Sequence, residues 1–108
     1  MIRVSVFKED GSYRGFVSDG HAGYARYGED IVCAAVSMLV INTVNSILEF
    51  TDDGIEIESD EERGLISADF KDKPSEKSTL LMDSLVLGLH GVEEEYGKKY
   101  IDISVKEE

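Results

Sequence analysis

Residues 30–49, DIVCAAVSMLVINTVNSILE, contain the longest apolar stretch of the chain. The length of the stretch and the lack of any turn signal favour a helix over a strand. Asp30 stands at its start, where a carboxylate can accept hydrogen bonds from free backbone N–H groups and oppose the helix dipole. The stretch is apolar on most faces but is interrupted by serine and asparagine. We therefore predict the central buried helix of a globular core and no membrane span.

The residues before this helix predict a β-hairpin. Apolar side chains alternate along residues 2–7, which is the period-two pattern of a half-buried strand. An Asp-Gly pair at residues 10–11 is typical of a hairpin turn, and a second strand is expected at about residues 13–17. Gly15 lies inside that strand and indicates a bulge or a close approach of another backbone. A loop of residues 19–29 leads to the helix.

The residues after the helix predict a second hairpin, a second helix and a last strand. We expect strands at residues 55–58 and 65–70, joined by the turn SDEERG. Pro74 precedes a helix of about residues 76–96, and a final strand covers residues 100–105. Five apolar side chains of the second helix are expected to be buried: Leu80, Leu81, Leu85, Leu89 and Val92.

The order of these elements, β-β-α-β-β-α-β, indicates an α+β fold. Hairpins outnumber crossover connections, so we expect both helices to pack on one face of a mostly antiparallel or mixed sheet. A chain of 108 residues is long enough for a small two-layer core. We therefore predict one two-layer domain of residues 1–108.

The charge balance of the chain is acidic. There are 23 Asp and Glu residues against 11 Lys and Arg, a formal net charge of −12, and much of the charge lies between Asp52 and Glu62. Such a surface repels phosphate backbones, which argues against direct nucleic-acid binding, and it attracts basic partners. The alternative is that the charge only keeps the protein soluble.

Cysteine and histidine content limits the type of protein further. The single cysteine cannot form an internal disulfide, which suits a reducing cytoplasm. The first residues, MIRVSVFKEDGS, lack the apolar segment of a signal peptide. Cysteine and histidine do not cluster in the sequence, so we expect no metal site and no cofactor.

That cysteine, Cys33, falls in the first turn of the predicted helix. Asp30, Cys33 and Ser37 have the spacing i, i+3, i+7, so they share one helix face. The free N–H groups at a helix N-terminus stabilise a thiolate, so we expect a lowered thiol pKa and a nucleophilic sulfur. The alternative is that Cys33 is a small buried hydrophobic residue.

His21 is the candidate base for this thiol. The loop before the helix must turn back, which would bring His21 over the helix N-terminus to take the thiol proton. The Cys33 N–H and an N–H of the loop would then form an oxyanion hole. Alternatives stay open for three residues: His21 as a turn residue, Asp30 as a plain helix cap instead of a partner of the imidazole, and Ser37 bonded back to a helix carbonyl.

The loop itself is the candidate substrate-binding segment. Gly20, Gly23 and Gly28 allow backbone angles that other residues resist. Tyr24 and Tyr27 either line a pocket for an apolar or aromatic substrate side chain or pack on the protein surface.

Residues 20–37, GHAGYARYGEDIVCAAVS, resemble the signature of the ribosomal-processing cysteine protease family (Prp). The signature reads Gly-His-Ala, a short gap, Gly, any residue, and Asp-(Ile/Val)-Val-Cys-Ala-Ala-Val-Ser. This chain carries it as Gly20-His21-Ala22, Gly28 and the run from Asp30 to Ser37, without departure. The resemblance in motif is confined to this block, and beyond residue 49 it rests on the pattern of elements.

The resemblance implies a function. Family members are endopeptidases that remove a short N-terminal extension from ribosomal protein number twenty-seven of the large subunit. By position, Cys33 is then the nucleophile and His21 the base, and Asp30 and Ser37 support them. The family also implies a homodimer with a mobile loop over the site, here about residues 22–29, and a basic ribosomal precursor fits an acidic enzyme.

Two other functions remain as alternatives. The first is a non-catalytic ribosome-assembly module that binds basic ribosomal proteins through the acidic surface. The second is a thiol hydrolase of another kind, such as an amidase that acts on small substrates.

Overall fold

The computed structural model describes residues 1–26 and 30–108. Its elements, in chain order, are β1 (Ile2–Glu9), β2 (Ser12–Asp19), α1 (Ile31–Phe50), β3 (Ile55–Asp60), β4 (Leu65–Phe70), α2 (Glu76–Tyr96) and β5 (Ile101–Glu107). The predicted order is confirmed, and the ends of the elements lie within one or two residues of the predicted ones.

The five strands form one mixed sheet in the order β3-β4-β2-β1-β5. Neighbouring strands are antiparallel except β1 and β5, which run parallel. The buried side chains of both helices share one core with strand residues such as Val4, Val6 and Phe16, so the predicted α+β arrangement is confirmed. Strand β2 occupies the centre of the sheet, and the chain passes from its end to the N-terminus of α1.

Helix α1 buries a single stripe of side chains. Val32, Val36 and Val40 recur every fourth residue and lie in the core, because this spacing keeps side chains on one helix face. The helix is less buried than predicted, since its other apolar side chains include Met38 and Phe50, each 65% exposed. By length and by a mean hydropathy of 2.0, α1 also meets a criterion for a membrane span. Core helices of globular proteins meet the same criterion, so length and hydropathy alone do not distinguish a core helix from a membrane span.

Helix α2 starts at a serine cap and buries a narrower stripe. The Ser75 hydroxyl accepts a hydrogen bond from the Ser78 N–H at 3.3 Å. Met82 and Leu85 are buried as part of the core, whereas Leu80 is 69% exposed, so its predicted burial is wrong. Leu80 lies two residues, or about 200° of rotation, from both Ser78 and Met82, and therefore faces away from the core.

Two glycines allow close approaches between elements. A Cβ on Gly15 would overlap the carbonyl oxygen of Ala68, so β2 and β4 can pair closely there only without a side chain. A Cβ on Gly88 would lie 3.0 Å from the side chain of Leu39, which shows where α2 and α1 meet. The close backbone approach predicted at Gly15 is confirmed.

Candidate active site

Asp30 caps α1 and ties the preceding loop to it. Its Oδ1 accepts hydrogen bonds from the N–H groups of Val32 (2.9 Å) and Cys33 (3.0 Å). Its Oδ2 accepts from those of Tyr24 (2.9 Å) and Ala25 (3.4 Å). Burial raises the pKa of Asp30, but these four donors outweigh burial and hold the pKa below its ordinary value. Asp30 is therefore a charged carboxylate that organises the main chain on both of its sides.

The thiol of Cys33 lies half-buried in the first turn of α1. Burial raises its pKa, and although the Ala22 N–H and the N-terminal ammonium group lower the pKa in part, the Asp30 carboxylate raises it again. The net direction is upward, so the predicted fall in the thiol pKa is wrong for this conformation. The physical reasons are the burial of the sulfur and, after it, the Asp30 carboxylate, which occupies N–H groups at the helix N-terminus and adds a negative charge beside the sulfur.

Of the two N–H groups predicted for an oxyanion hole, only the one from the loop is directed at Cys33. The Cys33 N–H, expected to form part of an oxyanion hole, donates to Asp30 instead. The Ala22 N–H, from the loop, donates to the sulfur at 3.2 Å. The Ala22 amide of the loop therefore faces the sulfur of Cys33 in this structure.

His21 follows the end of β2 and is exposed. Its main-chain carbonyl accepts a hydrogen bond from the Met1 ammonium group at 2.6 Å. Its ring Nε2 lies 3.0 Å from the carbonyl oxygen of Glu62. A carbonyl oxygen only accepts, so the imidazole donates through Nε2–H, and in the neutral ring Nδ1 is the nitrogen that can take a proton.

Two cavities are lined by both His21 and Cys33. The first, of about 390 Å³, lies between α1 and the β3–β4 hairpin. The second, of about 470 Å³, lies on the loop side and also contacts Asp30 and Gly23. Ser37, one helical turn after Cys33, lines both cavities. The fold thus brings the two predicted dyad residues and their two predicted supporting residues to one place.

Of the predicted substrate-binding residues that the structure describes, two glycines line the cavities and one tyrosine does not. Gly20, with a φ of +100°, lines the first cavity, and Gly23 lines the second. The ring of Tyr24 instead packs edge-on against Tyr96 and Tyr100, with centroid distances of 5.6 and 5.1 Å. This contact matches the packing alternative for Tyr24.

Two further predicted substrate-binding residues, Tyr27 and Gly28, lie outside the described residues, as does the end of the loop expected to cover the site.

The β3–β4 hairpin supplies residues that sequence reasoning did not place at the site. Six residues of the hairpin line the first cavity opposite α1: Ser59, Asp60, Glu61, Gly64, Leu65 and Ile66. The stretch SDEERG, residues 59–64, was predicted as a turn, but only residues 61–64 form it, because Ser59 and Asp60 still belong to β3. Only the pairing of β4 with β2 brings that turn beside His21, and no local pattern in the sequence indicates it.

This arrangement is suited to acyl transfer through a thiol. It combines a sulfur nucleophile, an imidazole nitrogen that can take a proton, and a main-chain N–H directed at the sulfur. Within residues 1–26 and 30–108, no three or more His, Cys, Asp or Glu side chains are grouped to hold a metal ion.

The family described as cysteine protease Prp has a model that matches residues 1–102. The chain is 30% identical over 99 residues to the ribosomal processing cysteine protease Prp of Staphylococcus aureus, which covers 91% of this chain and 93% of that protein.

Solved structures show the same similarity. The crystal structure of the ribosomal processing protease Prp from S. aureus with a covalently linked product peptide has a TM-score of 0.92 and 31% identity, covering 98% of this chain and 100% of that chain. The complex of the S. aureus protease with a substrate peptide has a TM-score of 0.87 and 30% identity, with the same coverage.

Proposed function

We propose, from the premise that this chain belongs to the cysteine protease Prp family, that it removes the short N-terminal extension of ribosomal protein number twenty-seven of the large subunit. The reaction is peptide-bond hydrolysis by a dyad of Cys33 and His21. The observation that carries the proposal is that these two side chains line the same two cavities. Residues 1–108 act as one protease domain, which the match over residues 1–102 supports.

Cys33 starts the reaction as a thiol, because its pKa is raised in the resting site. As Sγ forms a bond to the scissile carbonyl carbon, the thiol proton moves to Nδ1 of His21 and the carbonyl oxygen becomes an oxyanion. His21 therefore takes the proton during the attack, and no thiolate–imidazolium pair of Cys33 and His21 needs to form beforehand. The Ala22 N–H, which donates to Sγ at 3.2 Å, is placed to stabilise the negative charge.

The leaving group departs with a proton from His21. The C–N bond breaks, the imidazolium protonates the leaving amine, and a thioester remains on Cys33. Water then attacks the thioester while His21 takes one of its protons. The C–S bond breaks, the acid product leaves, and His21 returns the proton to the sulfur.

Asp30 and Ser37 support the dyad in this proposal. Asp30 holds the loop so that the Ala22 N–H faces the sulfur. Its Oδ2 accepts hydrogen bonds from the N–H groups of Tyr24 and Ala25, which follow Ala22 in the loop. Ser37 contributes a hydroxyl group to both cavities beside Cys33. Gly20 lines the first cavity and Gly23 the second, where the substrate would bind.

The first cavity suits a peptide that carries basic residues. Val36 and Ile41 form an apolar side of the cavity, and Asp60 and Glu61 lie on the hairpin side. The net charge of −12 favours encounter with a basic ribosomal precursor. The peptide complexes of the S. aureus protease support a peptide substrate for this chain as well.

The proposed enzyme is a cytoplasmic homodimer that does not bind nucleic acid directly. A groove of about 570 Å³ between α1 and α2 supports dimerisation, because it is lined by apolar side chains including Met38 and Val92. Met38 is 65% exposed in the single chain, so a second copy would remove it from water. The acidic surface supports the absence of nucleic-acid binding.

Cleavage of the ribosomal precursor tests the proposal. The precursor with its native extension is incubated with the wild type, Cys33→Ala and His21→Ala, and the new N-terminus is identified by mass spectrometry. We expect the wild type to cleave once and each variant to lose roughly 10³-fold or more in rate. His90→Ala is the matched control, since His90 is an exposed histidine on α2, and it should cleave at the wild-type rate.

The outcomes separate the competing functions. Equal cleavage by Cys33→Ala and the wild type would exclude a thiol protease. Full cellular function of Cys33→Ala would favour the assembly module. A wild type that cleaves other peptides and leaves this precursor intact would keep the protease and reject the substrate.

A further inference from the structure

The turn of the β3–β4 hairpin, residues 61–64, lies directly against the segment that carries His21. The Gly20 N–H donates to the carbonyl oxygen of Arg63 at 3.3 Å. The Arg63 guanidinium pairs with the Asp19 carboxylate at 3.2 Å. Two consecutive residues before His21 are therefore attached to one residue of the turn.

The register of the sheet explains this contact. Ser18 of β2 is paired with Ile66 of β4, so extending the antiparallel register by two residues sets Gly20 opposite Gly64. A Cβ on Gly64 would overlap the Gly20 carbonyl oxygen and would come within 3.1 Å of Cε1 of His21. Gly64 also has a φ of +66°, a conformation that favours glycine. The turn can approach His21 this closely only because residue 64 has no side chain.

The turn also contacts the imidazole through its main chain. The carbonyl oxygen of Glu62 accepts the hydrogen bond from Nε2–H of His21 at 3.0 Å. Because a carbonyl cannot donate, this bond selects the tautomer that carries its proton on Nε2. The bond therefore leaves Nδ1 as the basic nitrogen, and it holds the plane of the ring.

We infer that the β3–β4 turn is a positioning element for catalysis: the main-chain carbonyl of Glu62 orients His21 and fixes its tautomer, and Gly64 permits the approach. This role rests on the proposed function, in which His21 is the base. The carboxylate of Glu62 takes no part in it, because the acceptor is a main-chain atom. The Glu62 carbonyl thus acts on the reaction through His21.

Kinetics of Gly64→Ala test the inference, with Gly11→Ala as the matched control. Gly11 has a φ of +80° in the β1–β2 turn, and a Cβ there would meet nothing within 4 Å. The control therefore carries a similar backbone cost without displacing His21. We expect Gly64→Ala to lower kcat roughly 10- to 100-fold with little change in KM, because a small misplacement of a catalytic group is enough for such a loss. Gly11→Ala should keep the wild-type kcat.

A spectroscopic measurement on the unmodified active site tests the tautomer without any assay of activity. The chain has two histidines, so ¹⁵N spectra of the His90→Asn protein report His21 alone. At a pH where the ring is neutral, we expect the Nε2–H tautomer to dominate, and the Gly64→Ala substitution to shift the spectrum towards a mixture of tautomers. A dominant Nδ1–H tautomer in the otherwise unmodified protein would overturn the inference even if Gly64→Ala failed to fold.

The kinetic and spectroscopic results distinguish this inference from the proposed function. If His21→Ala cleaves as fast as the wild type, His21 is not the base and the proposed function fails first. If His21→Ala is inactive but Gly64→Ala and Gly11→Ala have equal kcat values, the dyad stands and the positioning role of the turn is rejected.

Discussion

At the scale of the residue, Cys33 shows how one neighbour changes the chemistry of a helix N-terminus. The position in the first turn predicts a stabilised thiolate, yet the pKa of the thiol is raised by burial and by the Asp30 carboxylate. The N–H groups of Val32 and Cys33 donate to the Asp30 carboxylate and not to the sulfur. A cap and a thiol three residues apart compete for the same donors, and in the proposed mechanism the thiol proton therefore moves to His21 during the attack.

The substitution Asp30→Asn tests this competition. Asparagine keeps one oxygen for the helix N–H groups but loses the negative charge and the second acceptor oxygen. Because the carboxylate raises the thiol pKa, the pH at which iodoacetamide alkylation of Cys33 reaches half of its maximum rate should fall. The free energy of unfolding should fall by about 1 kcal/mol, because the loop loses its anchor.

Asp72→Asn is the control for this substitution, since Asp72 is exposed and follows the end of β4 that lies away from the site. An alkylation profile that is identical in Asp30→Asn and the wild type would show that the thiol does not sense the carboxylate.

At the scale of the element, the start of α2 depends on one acidic side chain from the turn between α1 and β3. Asp53 accepts hydrogen bonds from the N–H (3.1 Å) and the hydroxyl (2.6 Å) of Ser75, and from the hydroxyl of Ser78. The Ser75 and Ser78 hydroxyls hold the pKa of Asp53 below its ordinary value, and partial burial opposes them only in part. Asp53 is therefore a structural residue within an otherwise exposed acidic stretch.

Asp53→Ala should lower the free energy of unfolding by about 1.5 kcal/mol, measured by urea denaturation at pH 7. The sign of the pH dependence follows from the lowered pKa. The contribution of Asp53 is fully present above its unfolded pKa of about 3.9 and is lost as the pH falls through the lower folded value. The difference in stability between the wild type and Asp53→Ala should therefore shrink only below about pH 4.

Asp52→Ala provides the comparison at the adjacent, exposed position. Equal losses for the two alanine variants would contradict a specific role of Asp53 at the start of α2.

At the scale of the whole molecule, the topology of the sheet assembles the site from distant segments. Because β2 is the central strand, the end of the β1–β2 hairpin lies beside the turn of the β3–β4 hairpin. The N-terminus of α1 contributes to both cavities. The same arrangement leaves the groove between the helices open, with Met38 exposed beside Gly88 and Val92. Both the site and the proposed dimer surface thus involve α1.

Met38→Glu tests the proposed dimer. A charge at the groove would have to be buried in the dimer without a partner, so the substitution should raise the dissociation constant at least about tenfold, as measured by sedimentation equilibrium. Ile57→Glu, at an exposed apolar position of the edge strand β3, should leave association unchanged. A monomeric wild type, or equal effects of the two substitutions, would reject the groove as the interface.

The sequence by itself determined the elements and the local chemistry of this protein. Alternation, turn residues and the cap predicted every strand and helix to within two residues, and spacing put Asp30, Cys33 and Ser37 on one face. These features depend on residues within a few positions of each other, and backbone geometry fixes them locally.

Only the tertiary structure decided which residues contact Cys33 and His21, the proposed dyad, and how they alter it. The approach of Glu62 and Gly64 to His21, the exposure of Leu80 and the burial that raises the pKa of Cys33 all depend on packing between distant segments. A sheet can pair strands in many orders that satisfy the same local pattern, so strand order and burial are not encoded within any single stretch.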